Sequence, residues 1–366
     1  MHKFKKILQF LFKSFFEIFF KLLYGKIIIF NNKISGVNIF PLKKIYSDVD
    51  LKMSYHLYSI KNGRIYTDTT ENVAIIQGNN LIPDVSFQQT ANKLVEAKYN
   101  SVIKKGTPRL IKKYKGKVFS MVQGGSGNNY FHFIFDIIPR LKLLNEKYNL
   151  DEINFFYVPE VNEWQKQIYS IFKIPTEKLI DSKKYHHIFA DEIIAVNHPW
   201  YRSGYIQNEI KNIPSWIVSW NREKYLPHAK NLNLNKKIYI DRSSSPYNHC
   251  KISNNTEVIN FLTDKGFNIY KTEELKFLEQ INLFQNSSTI IGAHGAAFTN
   301  IIFCKPHTNI IEIIPKHHPS LKCWRLSQIL NLSYIRLKTP TLKNQSNGDI
   351  FLKVEILNEL LNKLKS

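Results

Sequence analysis

The sequence predicts an α/β protein whose C-terminal half is a parallel, doubly wound sheet. Strand-like and helix-like segments alternate regularly over residues 237–337, which is the pattern of consecutive βα units. One strand leads into a helix through the glycine turn of residues 292–295. A length of 366 residues indicates two domains, and a hydrophobic content of 43% is typical of globular proteins.

The net charge indicates an anionic partner. Lys and Arg number 51 against 29 Asp and Glu, which gives +22. Membrane lipid, a phosphate-bearing substrate and nucleic acid all fit this charge, and a compositional bias towards Lys, Asn and Ile is the alternative explanation. Cys250, Cys304 and Cys323 show no metal-site spacing, which favours a reducing compartment over a disulfide framework or a zinc site.

Residues 1–30 predict an amphipathic helix. Its charged residues fall within an arc of roughly 80° and leave a wide apolar face; they are Lys3, Lys6, Lys13, Glu17 and Lys21. No apolar run approaches the roughly 20 residues of a spanning helix, and no signal-peptide pattern is present. We expect a helix on an anionic membrane surface, with packing on the protein's own core as the alternative.

Residues 31–230 are assigned to an N-terminal domain of mixed strands, loops and helices. The predicted strands are residues 64–70, 72–82, 118–122, 153–158 and 192–196, and the predicted helices are residues 162–172 and 209–225. Residues 104–117 are rich in lysine. These lysines could form a solvated face of the domain, or they could contact lipid phosphate. His186 and His187 have no companion at ligand spacing, so we do not expect a metal there.

Within this domain, a glycine loop at residues 124–127 precedes a helix that carries a candidate acid–base pair. The loop lacks the Lys-Ser/Thr of an ATP-binding P-loop. In the helix, His132 and Asp136 are four residues apart and share a face, which Arg140 continues, and Pro139 should kink or end the helix. The pair could take a proton from a hydroxyl nucleophile, or it could be a structural pair that fixes the loop.

Residues 231–340 are assigned to a C-terminal domain of alternating strands and helices. The predicted strands are residues 238–241, 267–270, 289–291, 309–314 and 333–337, and the predicted helices are residues 256–265, 275–285 and 324–330. Ligands of parallel sheets bind beyond the carboxyl ends of the strands, where Arg242, the 292–295 turn and the segment after Glu312 lie. Residues 341–366 predict a helix that packs back on the N-terminal domain.

An ordered set of motifs resembles the family 61 glycosyltransferases, including the bacterial members of capsular-polysaccharide type. The set comprises Asn-Tyr-Phe-His-Phe-Ile-Phe-Asp at 129–136, Pro-Arg-Leu at 139–141, Tyr-Ile-Asp-Arg at 239–242, Asn255, Gly266-Phe267, Glu279-Gln280, Gly-Ala-His-Gly-Ala at 292–296, Thr299-Asn300, Phe303 and Glu-Ile-Ile-Pro at 312–315. The likeness covers residues 123–337. The chain departs from the family pattern at two positions. The family often has Arg at the position of Lys251 and an acidic residue at the position of Thr256.

The resemblance implies a GT-B-like fold of two facing Rossmann-like domains, with residues 31–230 as the acceptor-side domain and residues 231–340 as the nucleotide-sugar-binding domain. It also implies a nucleotide-sugar donor as substrate, inversion at the anomeric carbon, and neither metal nor cofactor. It implies Asp136 as general base, with His132 as its partner or as the alternative base. The donor-binding residues would be Arg242, Lys251, Gln280, Gly292, His294, Gly295, Asn300 and Glu312. Arg242 would hold the leaving diphosphate with the 292–295 backbone and His294, Asn300 would orient that loop or the diphosphate, and Glu312 would accept ribose hydroxyls.

The leading hypothesis is an inverting hexosyl- or pentosyltransferase that acts on a hydroxyl of a capsular or other surface glycan, free or lipid-linked. The helix of residues 1–30 would place it peripherally on the cytoplasmic face of the inner membrane. The alternative is a non-catalytic membrane-associated scaffold of a polysaccharide-assembly complex, which would bind no nucleotide. A nucleic-acid partner is disfavoured because no RRM, KH or helix-turn-helix signature accompanies the charge.

Overall fold

A computed structural model describes residues 2–30, 35–43, 53–69, 72–123, 129–229, 236–244, 249–341 and 348–364. The chain forms two compact units, Met1–Glu209 and Ile210–Ser366. The boundary therefore lies earlier than the predicted one after residue 230. The reason is the helix Ser215–Tyr225, whose last ring packs edge-on against Phe277 and Phe303 of the second unit.

The described part of the N-terminal unit contains one mixed sheet of twelve strands. They are β1 (Ile28–Ile29), β2 (Val37–Pro41), β3 (His56–Thr69), β4 (Asn72–Gln77), β5 (Asn80–Leu81), β6 (Phe87–Thr90), β7 (Lys93–Leu94), β8 (Lys112–Ser120), β9 (Phe155–Val158), β10 (Leu179–Asp181), β11 (His187–Val196) and β12 (Gly204–Tyr205). The predicted strands 64–70, 72–82, 118–122, 153–158 and 192–196 all coincide with parts of this sheet.

Four of these strands form a parallel block in the order β10-β9-β8-β11. In chain order this is 3-2-1-4, which is the order at the centre of a Rossmann sheet. Beyond β11 the sheet continues through antiparallel pairs, beginning with β3. The expectation of a Rossmann-like N-terminal domain thus fits the parallel block alone. That the two units face each other as in a GT-B enzyme stays a prediction.

The helices of the N-terminal unit are short except for the first. They are α1 (His2–Tyr24), α2 (Ser101–Lys105), α3 (Tyr130–His132), which continues as a π-helical turn (Phe133–Ile137), α4 (Arg140–Asn145), α5 (Glu163–Ile171) and α6 (Ile206–Glu209), with 3₁₀ turns at Pro83–Val85, Ala97–Tyr99, Leu150–Glu152 and Thr176–Lys178. Among the described residues, no helix combines the length and apolar character needed to cross a bilayer.

Helix α1 turns its apolar face away from the protein. Phe20 is buried and stacks on Tyr24, while Glu17 and Lys21 lie half-buried on the same side. The opposite side exposes Leu11, Phe12, Phe15, Ile18, Phe19, Leu22 and Leu23 by 46–83%. The C-terminal part of the predicted charged stripe, Glu17 and Lys21, therefore faces the N-terminal unit, whereas Lys6 and Lys13 are exposed, and the apolar arc remains uncovered.

The described part of the C-terminal unit contains a five-stranded sheet in which every pair is parallel. Its strands are β13 (Lys236–Ile240), β14 (Asn268–Tyr270), β15 (Ser287–Ala293), β16 (Asn309–Pro315) and β17 (Ser333–Thr339). The spatial order β14-β13-β15-β16-β17 is 2-1-3-4-5 in chain order, a doubly wound order whose switch point lies between β13 and β15. The predicted parallel sheet is confirmed.

The helices of this unit are α7 (Ser215–Tyr225), α8 (Asn255–Asp264), α9 (Phe277–Gln285), α10 (Lys322–Leu330) and α11 (Val354–Lys363), with 3₁₀ segments Ile210–Asn212, Leu226–His228, Thr272–Glu274 and Ala296–Phe303. Alternate strand residues face opposite sides of the sheet. On one side Ile291 and Ile311 pack with α8 and α11. On the other, Gly292 lies against Phe298 of the 3₁₀ segment, so both faces are covered.

The C-terminal helix packs within its own unit. Leu357 and Leu361 of α11 belong to the core of the C-terminal unit, together with Val258 and Leu262 of α8. The segment before α11 is tied to the same unit, because the backbone N–H of Ile350 donates to the carbonyl of Lys251. Residues 348–364 therefore contribute to the core of the C-terminal unit, and packing of the 341–366 segment on the N-terminal domain stays a prediction.

Candidate active site

The helix that follows β8 begins with Tyr130–His132, and a side-chain cap fixes its start. Asn129 caps it, its side chain accepting from the N–H of Phe131 and His132. The N–H of Ile138 then donates to the carbonyl of Phe133, a π-type bond five residues back, immediately before Pro139. Because proline has no N–H to donate, the local break predicted at Pro139 is confirmed. The glycine loop of residues 124–127 lies outside the described residues.

Asp136 is the centre of a buried polar group, here called the Asp136 cluster: Gln123, His132, Asp136, Arg140, His198 and Trp200. Oδ2 of Asp136 accepts from His132 Nδ1 at 2.6 Å and from Gln123 Nε2 at 2.7 Å. Oδ1 accepts from Trp200 Nε1 at 2.7 Å. The carboxylate is fully buried, and groups of the chain donate to both of its oxygens.

Arg140 locks the same group to the sheet. Its Nε donates to the carbonyl of Asp136 at 2.9 Å, and its Nη2 donates to Gln123 Oε1 at 2.7 Å. A third bond reaches the carbonyl of Val196, the last residue of β11. The guanidinium thus orients Gln123 towards the carboxylate.

The sequence did not predict His198 and Trp200 as site residues. They follow β11, the neighbour of β8 in the parallel block, so they lie at the switch point where strand order reverses. His198 Nδ1 accepts from the N–H groups of Trp200 and Tyr201, which leaves its proton on Nε2, 3.8 Å from Asp136 Oδ2. The signal that could have found them was a polar aromatic group directly after a buried strand.

Electrostatics keep the Asp136 carboxylate ionised. Burial alone raises its pKa, but the neighbouring His132 and His198 outweigh burial and hold the pKa below its usual range. Burial lowers the pKa of His198 to about 4, so this imidazole is neutral. An ionised, fully bonded carboxylate is a weak base and a good partner for an imidazole N–H.

The geometry favours His132 over Asp136 as the group that meets a substrate. The side chain of His132 is 15% exposed, against 1% for Asp136. With its Nδ1 proton donated to Asp136, the neutral ring carries its lone pair on Nε2, which can accept a proton. The structure thus places Asp136 in the role of an orienting carboxylate.

A second group lies at the switch point of the C-terminal sheet. Arg242 follows β13, His294 follows β15, and the guanidinium Nη1 donates to the carbonyl of His294. Gly295 permits this approach, because a Cβ at that position would lie 2.5 Å from Arg242 Cζ. We call this the Arg242 cluster: Arg242, His294, Gly295, Glu312, Lys322 and Tyr334.

Lys322 reinforces the positive charge of the Arg242 cluster and was missed by the sequence. It lies at the start of α10, is 4% exposed, and donates to the carbonyl of Gly295 at 2.7 Å. Two buried cations thus bind consecutive carbonyls of one turn. Burial lowers the pKa of Lys322 and of Arg242. No sequence motif indicates Lys322, because its contact with Gly295 arises only from the position of the first turn of α10.

Glu312 has a different role from the predicted one. Its carboxylate accepts from His294 Nδ1 at 2.5 Å, Tyr334 Oη at 2.5 Å and Cys323 Sγ at 3.0 Å, and the residue is 1% exposed. Burial raises its pKa, yet His294 and the other donors hold the pKa at about 2. Both oxygens accept from the chain and are buried, so the geometry argues against the predicted contact with ribose hydroxyls. Glu312 orients the imidazole of His294.

Gln280 and Asn300 are also occupied by the chain. Asn300 is fully buried and its Nδ2 donates to Gln280 Oε1 at 2.8 Å. Gln280 Nε2 in turn donates to the carbonyls of Thr272 and Leu275. The pair ties α9 to the 3₁₀ segment Ala296–Phe303. Of the two predicted roles of Asn300, this position suits orienting the loop.

Lys251 and Gly292 have separate positions in the site. Lys251 lines a cavity of about 140 Å³ at the carboxyl ends of β13 and β15, together with Tyr239, Arg242, Asn255 and Ala293. Gly292 lies inside β15, where a Cβ would approach the carbonyl of Ile240 at 3.0 Å. Gly292 therefore serves strand packing, and Lys251 faces open space beside Arg242.

Among the described residues, one trio offers potential metal ligands. Ligand atoms of His294, Glu312 and Cys323 lie within 4.8 Å of one another. Each of them is hydrogen-bonded to another member of the trio, and burial raises the pKa of the Cys323 thiol well above its ordinary value. Arg242 and Lys322 lie beside it. This surrounding charge suits an anion better than a cation.

Comparison with known proteins identifies relatives of this chain. A family model described as Glycosyltransferase 61 matches residues 130–311, a stretch that holds His132, Asp136, Arg242 and His294. Beta-1,2-xylosyltransferase RCN11 of Oryza sativa subsp. japonica is 28% identical over 157 residues, which are 41% of this chain and 26% of that protein. The aligned part thus spans about a quarter of the rice protein.

A solved structure was also matched, the bacterial iron-containing dodecameric glycosyltransferase TibC from enterotoxigenic E. coli H10407. The TM-score is 0.31 at 11% identity, over 81% of this chain and 82% of that chain. A TM-score of this size supports no inference about fold or function. The family match and the rice relative agree with the resemblance of the sequence motifs. Over residues 130–311 the chain is thus similar to the glycosyltransferase 61 family.

Proposed function

We propose that this protein transfers a sugar from a nucleotide-sugar donor to a hydroxyl of a glycan acceptor. The observation that carries the proposal is the Arg242 cluster, in which two buried cations meet one glycine turn at the switch point of a parallel sheet. Ligands of such sheets bind at this point, and a departing diphosphate needs positive charge there. The match to this family supports the same reaction class.

The donor diphosphate would be held by Arg242, with Lys322 as a second cation. Arg242 can bind phosphate oxygens through two N–H groups, and its position is fixed by the carbonyl of His294. Lys251 would contribute from the cavity beside Arg242. Charge stabilisation by side chains makes a metal unnecessary for the leaving group, so we propose metal-independent transfer without a cofactor.

The acceptor hydroxyl would be deprotonated by His132. Its Nδ1 is fixed by Asp136, in the same way that Glu312 fixes His294. A base acting on the acceptor in one displacement inverts the configuration at the anomeric carbon, and we propose inversion for this reason. The revised assignment makes Asp136 the positioning residue and His132 the base.

The acceptor and the location are proposed on wider grounds. The motif set resembles bacterial enzymes of capsular-polysaccharide type, so we propose a capsular or other surface glycan, free or lipid-linked, as acceptor. The sugar would be a hexose or a pentose. The uncovered apolar arc of α1 supports peripheral binding to a membrane, which we place at the cytoplasmic face of the inner membrane.

The test measures thermal stabilisation of the purified protein by UDP, GDP and CMP, in buffer with and without EDTA. A nucleotide at a hundredfold excess over its Kd should raise Tm by about 5 °C, because binding stabilises the folded state by mass action. Arg242→Ala and Lys322→Ala should reduce the rise, whereas the exposed-lysine control Lys338→Ala should keep it. The stabilising nucleotide then directs a screen of its sugars for transfer.

Two results would contradict the proposal. Absence of stabilisation by every nucleotide would favour the non-catalytic membrane scaffold. Stabilisation that disappears only when EDTA is added would refute metal independence and leave transfer itself in place.

A further inference from the structure

The loop of residues 106–111 lies beside the last turn of α1. Lys21 Cγ is 3.0 Å from the position that a Cβ on Gly106 would take. Tyr24 packs edge-on against His187, with ring centroids 5.3 Å apart, and His187 Nδ1 donates to the carbonyl of Arg109 at 2.9 Å. The helix and the loop therefore form one continuous surface of the N-terminal unit.

This surface carries a second exposed apolar point. Leu110 is 76% exposed and follows Arg109 directly. At 100° per residue, the exposed apolar residues of α1 between Leu11 and Leu23 span an arc of roughly 140°. An apolar area of this kind exceeds what single surface leucines account for and marks an interaction site.

Exposed cations accompany the apolar groups. Lys26, Lys104 and Arg109 are exposed, and none of them forms a salt bridge to another described residue. A protein partner would require matching polar groups across its interface, and the arc offers none. A bilayer presents apolar chains beneath anionic headgroups, which matches an apolar arc beside cations.

We propose that α1 and the 106–111 loop bind one anionic bilayer together, with Leu110 as a second insertion point and Lys104 and Arg109 as headgroup contacts. The inference rests on the membrane role proposed for α1 and is independent of the transfer reaction. The loop fixes the rotation of α1 on the bilayer, because two separated insertion points define an orientation where a single helix does not.

The experiment measures co-sedimentation of the full chain with vesicles of phosphatidylcholine, alone or with roughly one third phosphatidylglycerol. Leu110→Ser should weaken binding to both vesicle types about tenfold, because one leucine no longer enters the apolar layer. Phe351→Ser, an exposed apolar control in the C-terminal unit, should leave binding unchanged. The double variant Lys104→Gln, Arg109→Gln should weaken binding about tenfold to the anionic vesicles only.

A double control, Lys338→Gln with Lys353→Gln, removes the same charge from exposed lysines of the C-terminal unit. If it weakens binding as much as the loop double variant, net charge alone acts and the loop contact is refuted. If Leu110→Ser binds like Phe351→Ser, Leu110 is not an insertion point. If the wild type does not sediment with either vesicle, the membrane role of α1 is overturned as well. Nucleotide stabilisation of each variant reports separately on the transferase proposal.

Discussion

At the scale of the residue, two imidazole–carboxylate pairs divide the proposed chemistry. His132 is fixed by Asp136 and His294 is fixed by Glu312, in each case through Nδ1. Both carboxylates are buried and hold their partners' orientation, so neither is available to a substrate. The first pair retains an exposed imidazole edge, and the second pair fixes the turn that carries the cations.

The first pair gives a prediction about turnover. His132→Ala should lower kcat by about 10² to 10⁴, the range typical of a general base, with little change in nucleotide affinity. Asp136→Asn should lower kcat in the same direction and shift the pH dependence, because the imidazole loses its ionised partner. The measurement is the pH profile of kcat in the transfer assay, with nucleotide affinity measured in parallel.

The control for this prediction is His228→Gln, an exposed histidine of the C-terminal unit. Turnover of His132→Ala within a factor of about two of the control would remove His132 from the mechanism. Asp136→Asn with normal turnover and an unchanged pH profile would reduce the pair to a structural contact.

At the scale of the element, the turn after β15 depends on a glycine for space and not for backbone conformation. A methyl group on Gly295 would meet the guanidinium of Arg242, which is the far end of a long side chain. Gly266, which follows α8, has the opposite property, because its φ is +80° and its Cβ position is open. A substitution at Gly295 should therefore affect the site, whereas a substitution at Gly266 should affect the stability of the fold.

We predict opposite phenotypes for alanine at these two glycines. Gly295→Ala should displace Arg242 and weaken nucleotide binding about tenfold or more, with little loss of stability. Gly266→Ala should lower the free energy of unfolding by about 1 kcal/mol through its positive φ and leave nucleotide binding unchanged. Chemical denaturation and nucleotide titration of both variants check this. Equal nucleotide affinity in the two variants would contradict the steric role of Gly295.

At the scale of the whole molecule, each unit places its polar cluster at the switch point of a parallel block. The Asp136 cluster joins the ends of β8 and β11, and the Arg242 cluster joins the ends of β13 and β15. Two histidines of the N-terminal unit are buried as neutral groups, His198 in the Asp136 cluster and His187 at the opposite end of β11. Burial lowers the pKa of both His187 and His198 to about 4 from an ordinary value of 6.5.

Stability should therefore fall with acid in a defined window. The folded-state pKa of these histidines lies below the unfolded-state pKa, so the unfolded chain binds more protons between about pH 6.5 and pH 4. Their stabilisation is complete above pH 6.5 and is lost as the pH falls, at about 1 to 3 kcal/mol per pH unit for the two together. Asp136 acts in the same direction only at lower pH, because its pKa is depressed.

Urea unfolding of the wild type at several pH values between 7.5 and 4.5 measures this slope. His198→Gln, which cannot be protonated in this range, should show a shallower slope. A stability independent of pH over this interval, or an equal slope in the variant, would contradict the neutral buried state of His198.

Local patterns in the sequence determined much of this architecture. The alternation of apolar runs and caps located the five C-terminal strands to within about two residues, because strand and helix periodicities are properties of neighbouring residues. The four-residue spacing of His132 and Asp136 predicted their contact for the same reason. The ends of strands predicted Arg242 and His294 as site residues.

Only the tertiary structure decided which groups meet across the chain. Adjacency of β8 and β11 brings Trp200 to Asp136, and the first turn of α10 brings Lys322 to Gly295. The same level of structure filled the carboxylate of Glu312 with internal donors, turned the apolar arc of α1 outward, and placed α11 on the C-terminal unit. Strand order and helix rotation depend on contacts between residues distant in sequence, and local periodicity holds no record of those contacts.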